Sequence, residues 1–256
     1  MTVISLVEAA LEFWGALIAL ILSIISYSTL HSEDNDRLLW YLLLPDIALL
    51  ISVAFCVIYD GDTSLMGFYI QRFFHMINIG ASTVLLAMYC HYIAKICKDT
   101  KGLRVVDVIA GAGMIGLLTN PLTHFYYYFN QMGVYVRKPG LYTLFFVECY
   151  MVIFMIVKLL NHNGLKDSQL RLNLFMILFT VVGFVLNTVT QSQGIYCDFV
   201  TITLITLVIT GINRIRNGRY QAQINLANQE LEMLMLEYSR LLEKEEKERK
   251  EREGQS

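Results

Sequence analysis

Seven long apolar segments run in series between Leu6 and Asn213, and a charged stretch with heptad spacing follows them. A run of roughly 20 apolar residues, folded as a helix, spans the hydrocarbon core of a bilayer. The segments fall near 7–28, 38–59, 68–94, 104–119, 141–160, 172–190 and 196–213. They predict an all-α membrane protein, with a seven-helix transmembrane bundle over 1–213 and a cytoplasmic coiled coil with a charged tail over 214–256.

Composition points the same way. Charged residues make up 16% of the chain, where a soluble domain carries about a quarter. The basic residues flank apolar segments or alternate with Glu, so no nucleic-acid partner is expected and the bilayer is the first partner. Cys56, Cys90, Cys97, Cys149 and Cys197 form no CxxC pair and read as small packing residues. No HxxxH or HExxH spacing occurs, and His91 has no histidine partner at its depth for a haem. No metal or other cofactor is expected.

Lys and Arg collect on the cytoplasmic side of a membrane protein. Arg37, then Lys95, Lys98, Lys101 and Arg104, then Lys158, Lys166 and Arg171, then Arg214, Arg216 and Arg219 fall on one side. Arg72, Arg137 and Lys138 fall on the other. The bias predicts a multi-pass protein of the cell membrane, amino end outside and carboxyl end in the cytoplasm. No Lys or Arg precedes Arg37, so the first segment lacks a signal peptide's basic start and is expected to be retained.

The fourth segment is rich in small residues (Ala110, Gly111, Ala112, Gly113, Gly116), which predict a tight packing face. Without a preceding strand or a Lys-Ser/Thr pair they are not a phosphate loop. Pro121 is expected to end that helix. In the outer loop 120–140, the runs His124–Phe129 and Val134–Arg137 flank Asn130-Gln131-Met132-Gly133 and predict a β-hairpin. Its aromatic residues suit either an interfacial belt or a lid over an outward-facing pocket.

Ionisable side chains at membrane depth are costly and usually face the bundle interior. At ~1.5 Å per residue, Arg72 and His75 lie roughly 6–10 Å below the outer edge of the third segment, on one helix face. Glu148, Asn187 and Asp198 occupy the same outer third. Two readings stay open. Arg72 pairs with Glu148 or Asp198, or these groups line a ligand pocket together with Tyr126 and Tyr128. Asp46 follows Pro45 and sits deeper, with no basic residue at its level. It is either a structural carboxyl hydrogen-bonded to hydroxyls or part of a proton or cation path. Asp107 is expected to reach the inner interface.

In the tail, Ile224, Leu231 and Tyr238 occupy one heptad core position, and Ala227, Leu234 and Leu241 the other. The pattern predicts a homodimer through the coil. Asn213, Asn217 and Gly218 interrupt the heptad and read as a soft joint, although one Gly costs a helix only ~1 kcal/mol. Continuity of the helix is left open.

Two stretches carry a resemblance. Leu38–Gly61, LLWYLLLPDIALLISVAFCVIYDG, resembles the second span of multi-spanning input regions of bacterial signalling proteins, especially diguanylate cyclases of Firmicutes and related histidine kinases. Gly133–Tyr142, GVYVRKPGLY, resembles the x-Tyr-x-Arg-Gly-Pro-Leu-Tyr turn after the fourth span in that group, with Lys138-Pro139-Gly140 departing from its order. The order of elements is similar along the whole chain. The resemblance implies a sensory role. It does not extend to catalysis, because the chain holds no Gly-Gly-Asp/Glu-Glu-Phe loop.

The expectation is therefore a non-catalytic sensor or input module. It would pass an extracellular or intramembrane signal through the coil to a cytoplasmic output partner, in cyclic-di-GMP or two-component signalling. The rival expectation is a small transporter or its accessory subunit, against which stands the lack of an internal repeat.

Overall fold

The computed structural model describes residues 3–31, 34–162, 167–190 and 193–253. Its elements are α1 (Val3–Leu30), α2 (Asp34–Ile58), α3 (Leu65–Ile96), α4 (Leu103–Thr123), β1 (Tyr127–Phe129), β2 (Tyr135–Arg137), α5 (Leu141–Asn161), α6 (Ser168–Thr190) and α7 (Gln193–Glu253). Among the described residues, seven helices are long and apolar enough to cross a membrane. Each expected apolar segment lies on one of them, with edges displaced by a few residues except at the seventh, where α7 continues far beyond the expected end.

Helix α1 shows how such a helix is arranged. Ala9, Glu12, Ala16, Ala19, Ser23 and Ser26 are buried, at alternating spacings of three and four, and most are small. Large apolar side chains such as Leu11, Trp14, Ile18, Ile21 and Ile25 face outward. A helix on a water-soluble protein turns its large apolar side chains inward. In lipid, small residues at the seam let backbones approach closely while the outer face meets acyl chains. The seam of α1 packs on α2, which also packs on α3 and buries Leu42, Leu43, Leu49, Leu50 and Val53.

Helix α3 is the hub, packing against α2, α4 and α5. The Ser64 hydroxyl caps it by accepting the Gly67 N–H at 2.9 Å. In α4 the buried residues Val106, Ala110, Gly113, Leu117 and Asn120 form one narrow stripe. The small residues make room for side chains: a Cβ on Gly113 would meet Leu144 at 2.7 Å, and one on Gly116 would clash with the Tyr126 hydroxyl.

Pro121 does not end α4, contrary to expectation. The helix continues to Thr123 and stops at His124, whose φ of 48° is left-handed and whose N–H closes on the Asn120 carbonyl. A proline this near a C-terminus removes a single backbone donor, and the left-handed residue supplies the stop.

The hairpin forms as expected. Strands β1 and β2 are antiparallel, with Tyr127 opposite Arg137, Tyr128 opposite Val136 and Phe129 opposite Tyr135. Asn130 organises the tip, its side-chain oxygen accepting the N–H groups of Met132 and Val134. Gly133 has φ 68°, and a Cβ there would meet the Asp62 carbonyl oxygen at 2.7 Å. The tip thus rests on the α2–α3 turn. Tyr126, Tyr127 and Phe129 are buried against Phe68, Met76, Met114, Leu117 and Leu144. The hairpin is a packed cap.

The chain divides into two compact units, Met1–Gly211 and Ile212–Ser256. In the second, Ile224, Ala227, Leu231, Leu234, Tyr238 and Leu241 are all exposed. Asn213, Asn217 and Gly218 are helical, so α7 is one helix of 61 residues.

Candidate functional site

The polar residues expected to converge divide among three places. The first lies beneath the hairpin. His75 is buried and stacks on Tyr135 at 4.2 Å, with Phe129 at 5.4 Å and Tyr127 at 6.2 Å. Arg72 forms no ion pair with Glu148 or Asp198; its guanidinium lies over the Phe68 ring at 4.0 Å. Tyr126 packs over Gly116, whereas Tyr128 is half-exposed beneath the Lys138 ammonium at 5.3 Å. Burial pushes the Tyr127 hydroxyl up to about 12 and the Tyr135 hydroxyl up as well.

Two residues that sequence reasoning passed over matter here. Asn120 is buried at the end of α4. Its side-chain oxygen accepts the Tyr126 N–H at 2.7 Å, and its amide donates to the Tyr127 carbonyl at 3.2 Å. Gln71 is 1% exposed, and neither its amide nitrogen nor its amide oxygen has a hydrogen-bond partner. A buried amide left open in this way is ready to take a polar ligand or water. An Asn just before Pro121 was the available signal for the first. Gln71, one residue before Arg72, carried none.

The second place joins α3, α5 and α7. The Ser82 hydroxyl donates to Glu148 Oε1 at 2.9 Å, and Tyr196 approaches both. Deeper in the bundle, Tyr89 donates to Asn173 at 3.1 Å and Thr180 meets Thr203 at 3.1 Å. The third place joins α1, α2 and α7. Asp46 is 0% exposed and accepts the Thr201 hydroxyl at 3.0 Å. Glu12, 2% exposed, lies within electrostatic reach of Asp46, Asp198 and Glu8. Asp198 itself is exposed. Asn187 falls on α6, and its side chain lies outside the described residues.

Comparison of the chain with known protein families, with curated proteins and with solved structures returned no match.

At the other end of the bundle, Asp107 of α4 meets His91 Nε2 of α3 at 2.7 Å, both partly exposed. Lys158 of α5 pairs with Asp99 in the α3–α4 turn, and that bond holds the Asp99 carboxyl below its ordinary range. Among the described residues no group of three His, Cys, Asp or Glu side chains could hold a metal ion. Under the hairpin and along α7, the side chains brought together form hydrogen bonds and aromatic contacts.

Proposed function

We propose that the chain is the membrane input module of a bacterial signalling system. It works as a dimer in the cell membrane, with the amino end and hairpin outside and the charged end of α7 in the cytoplasm. The observation that carries this reading is α7 itself. One helix bears both the last apolar segment and the heptad residues, and the heptad face is exposed throughout. Burying a Leu-sized side chain stabilises by about 1.5–3 kcal/mol, so pairing two such faces is the favourable outcome. A helix unbroken at Gly218 passes a shift or rotation of its apolar part to the coil, where a hinge would absorb it. The resemblance of Leu38–Gly61 and Gly133–Tyr142 to input regions of diguanylate cyclases agrees with this role. The signal is received at the outer face, by the cluster of Gln71, Arg72, His75 and the hairpin tyrosines. The output lies in a cyclic-di-GMP or two-component partner.

The test is a chimaera. Appending a diguanylate cyclase domain in heptad phase after Leu242 is expected to give membrane-bound cyclase activity. Glu at both 231 and 234 should abolish it. Activity indifferent to those substitutions would overturn the reading.

A second reading is a small transporter, favoured by one observation: Glu12 and Asp46 are buried carboxyls with open oxygens. Uptake that is abolished by Asp46→Asn and survives removal of the residues after Gly218 would support it.

A further inference from the structure

Glu12 and Asp46 are buried in the bundle on different helices, and each has one carboxyl oxygen without a hydrogen-bond partner, Oε2 of Glu12 and Oδ2 of Asp46. The groups that act electrostatically on Glu12 are Asp198 of α7, Glu8 of α1 and Asp46 of α2, and all are acidic. Around Asp46 stand the Thr201 hydroxyl, Tyr196 and Cys197 of α7. Cys56 of α2 lies near Cys197. Among the described residues none of these neighbours is basic.

Two carboxylates cannot both keep their charge in such a place. Removing a carboxylate from water is costly unless a cation or hydrogen-bond donors replace the solvent. Among the described residues the Thr201 hydroxyl is the donor, and it serves one oxygen of one carboxyl. A second charge nearby adds repulsion. The remaining ways to neutralise the site are a proton or a metal ion, and among the described residues no group of three His, Cys, Asp or Glu side chains that could hold a metal is present.

We propose that Glu12 of α1 and Asp46 of α2, closed by Thr201 of α7, form a proton-binding site inside the bundle. The proton adds to a carboxylate oxygen, makes the O–H bond of a neutral carboxylic acid, and on release returns to water as hydronium. Its path runs over Glu8 and Asp198. Glu8 lies one turn before Glu12 on the same face of α1, and Asp198 is exposed within reach of both. Loss of the proton leaves net negative charge in the small-residue seam between α1 and α2 and pushes the two apart. The proposal stands whether the chain signals or transports.

The test is infrared difference spectroscopy of the full chain in lipid nanodiscs, titrated with pH alone and repeated with sodium chloride added. The protonated-carboxyl band is expected to persist at neutral pH and to lose intensity in Glu12→Gln and again in Asp46→Asn. Thr201→Val, which removes the donor to charged Asp46, should shift the midpoint upward. Glu148→Gln accounts for the contribution of the other buried carboxyl, which accepts the Ser82 hydroxyl. A band unchanged in both Glu12→Gln and Asp46→Asn overturns the proposal. A band that sodium removes at constant pH assigns the site to a metal ion and overturns it equally.

Discussion

The imidazole of His75 and the ring of Tyr135 stack with centroids 4.2 Å apart and planes 2° from parallel. One ring belongs to the hub helix α3 and the other to β2, so the stack clamps the hairpin cap to the bundle. Aromatic pairs contribute about 0.5–1.5 kcal/mol beyond their buried area. A double-mutant cycle of His75→Ala and Tyr135→Ala, read by thermal unfolding in detergent, should show a coupling of about 1 kcal/mol. Strictly additive losses would deny the clamp.

Asn120 holds the cap from the α4 side through bonds to Tyr126 and Tyr127. Asn120→Ala leaves a buried N–H and a buried carbonyl unpaired, at about 1–3 kcal/mol each. The expected outcome is a lower unfolding temperature and faster proteolysis around Gln131–Gly133. Unchanged proteolysis would mean that apolar packing alone seats the hairpin.

Gly133 meets two demands, a left-handed φ of 68° and close approach to the Asp62 carbonyl. Gly133→Ala adds about 1–2 kcal/mol of backbone strain and a clash that moves the tip. Hydrogen exchange should speed up at the Val134 and Asn130 amides, which the tip now protects. Wild-type protection would contradict this.

The Asp99 carboxyl is held below its ordinary 3.8, first by the bond from Lys158 and then by the Lys101 N–H. A depressed folded-state value means that the unfolded chain takes up the proton first as pH falls. The contribution is complete above the ordinary value and is lost as pH drops through it toward the folded one. Asp99→Asn should flatten the acid limb of the stability profile below about pH 4 and leave neutral pH little changed. An unaltered acid limb would show that the pair adds nothing.

How much was legible in the sequence follows from what each signal depends on. Apolar length located seven helices, because spanning a membrane fixes length independently of neighbours. Gly133 flanked by aromatic runs located the hairpin. Depth could be counted along each helix, but direction could not, since each residue turns a helix face by about 100° and packing sets the starting angle. By that count Arg72, Glu148 and Asp198 share a depth, yet Arg72 lies over Phe68, Glu148 accepts from Ser82 and Asp198 acts electrostatically on Glu12. Glu12 was not expected at a site because an acid near the amino end, like Glu8 one turn before it, looks like a topology signal until its place in a stripe of small buried residues is seen. The joint at Gly218 was undecidable by composition, because a cost of ~1 kcal/mol is small beside a long helix.

Disulfide crosslinking in native membranes tests the central claim most directly. Single cysteines at Ile224, Leu231 and Tyr238, in a background lacking the native thiols, are compared with cysteines at Gln229 and Glu243. Seam positions should yield dimers efficiently and the others weakly, in heptad phase from Ile224 to Tyr238. Absence of dimers at all three seam positions, or crosslinking without phase, would contradict a coiled-coil signalling dimer.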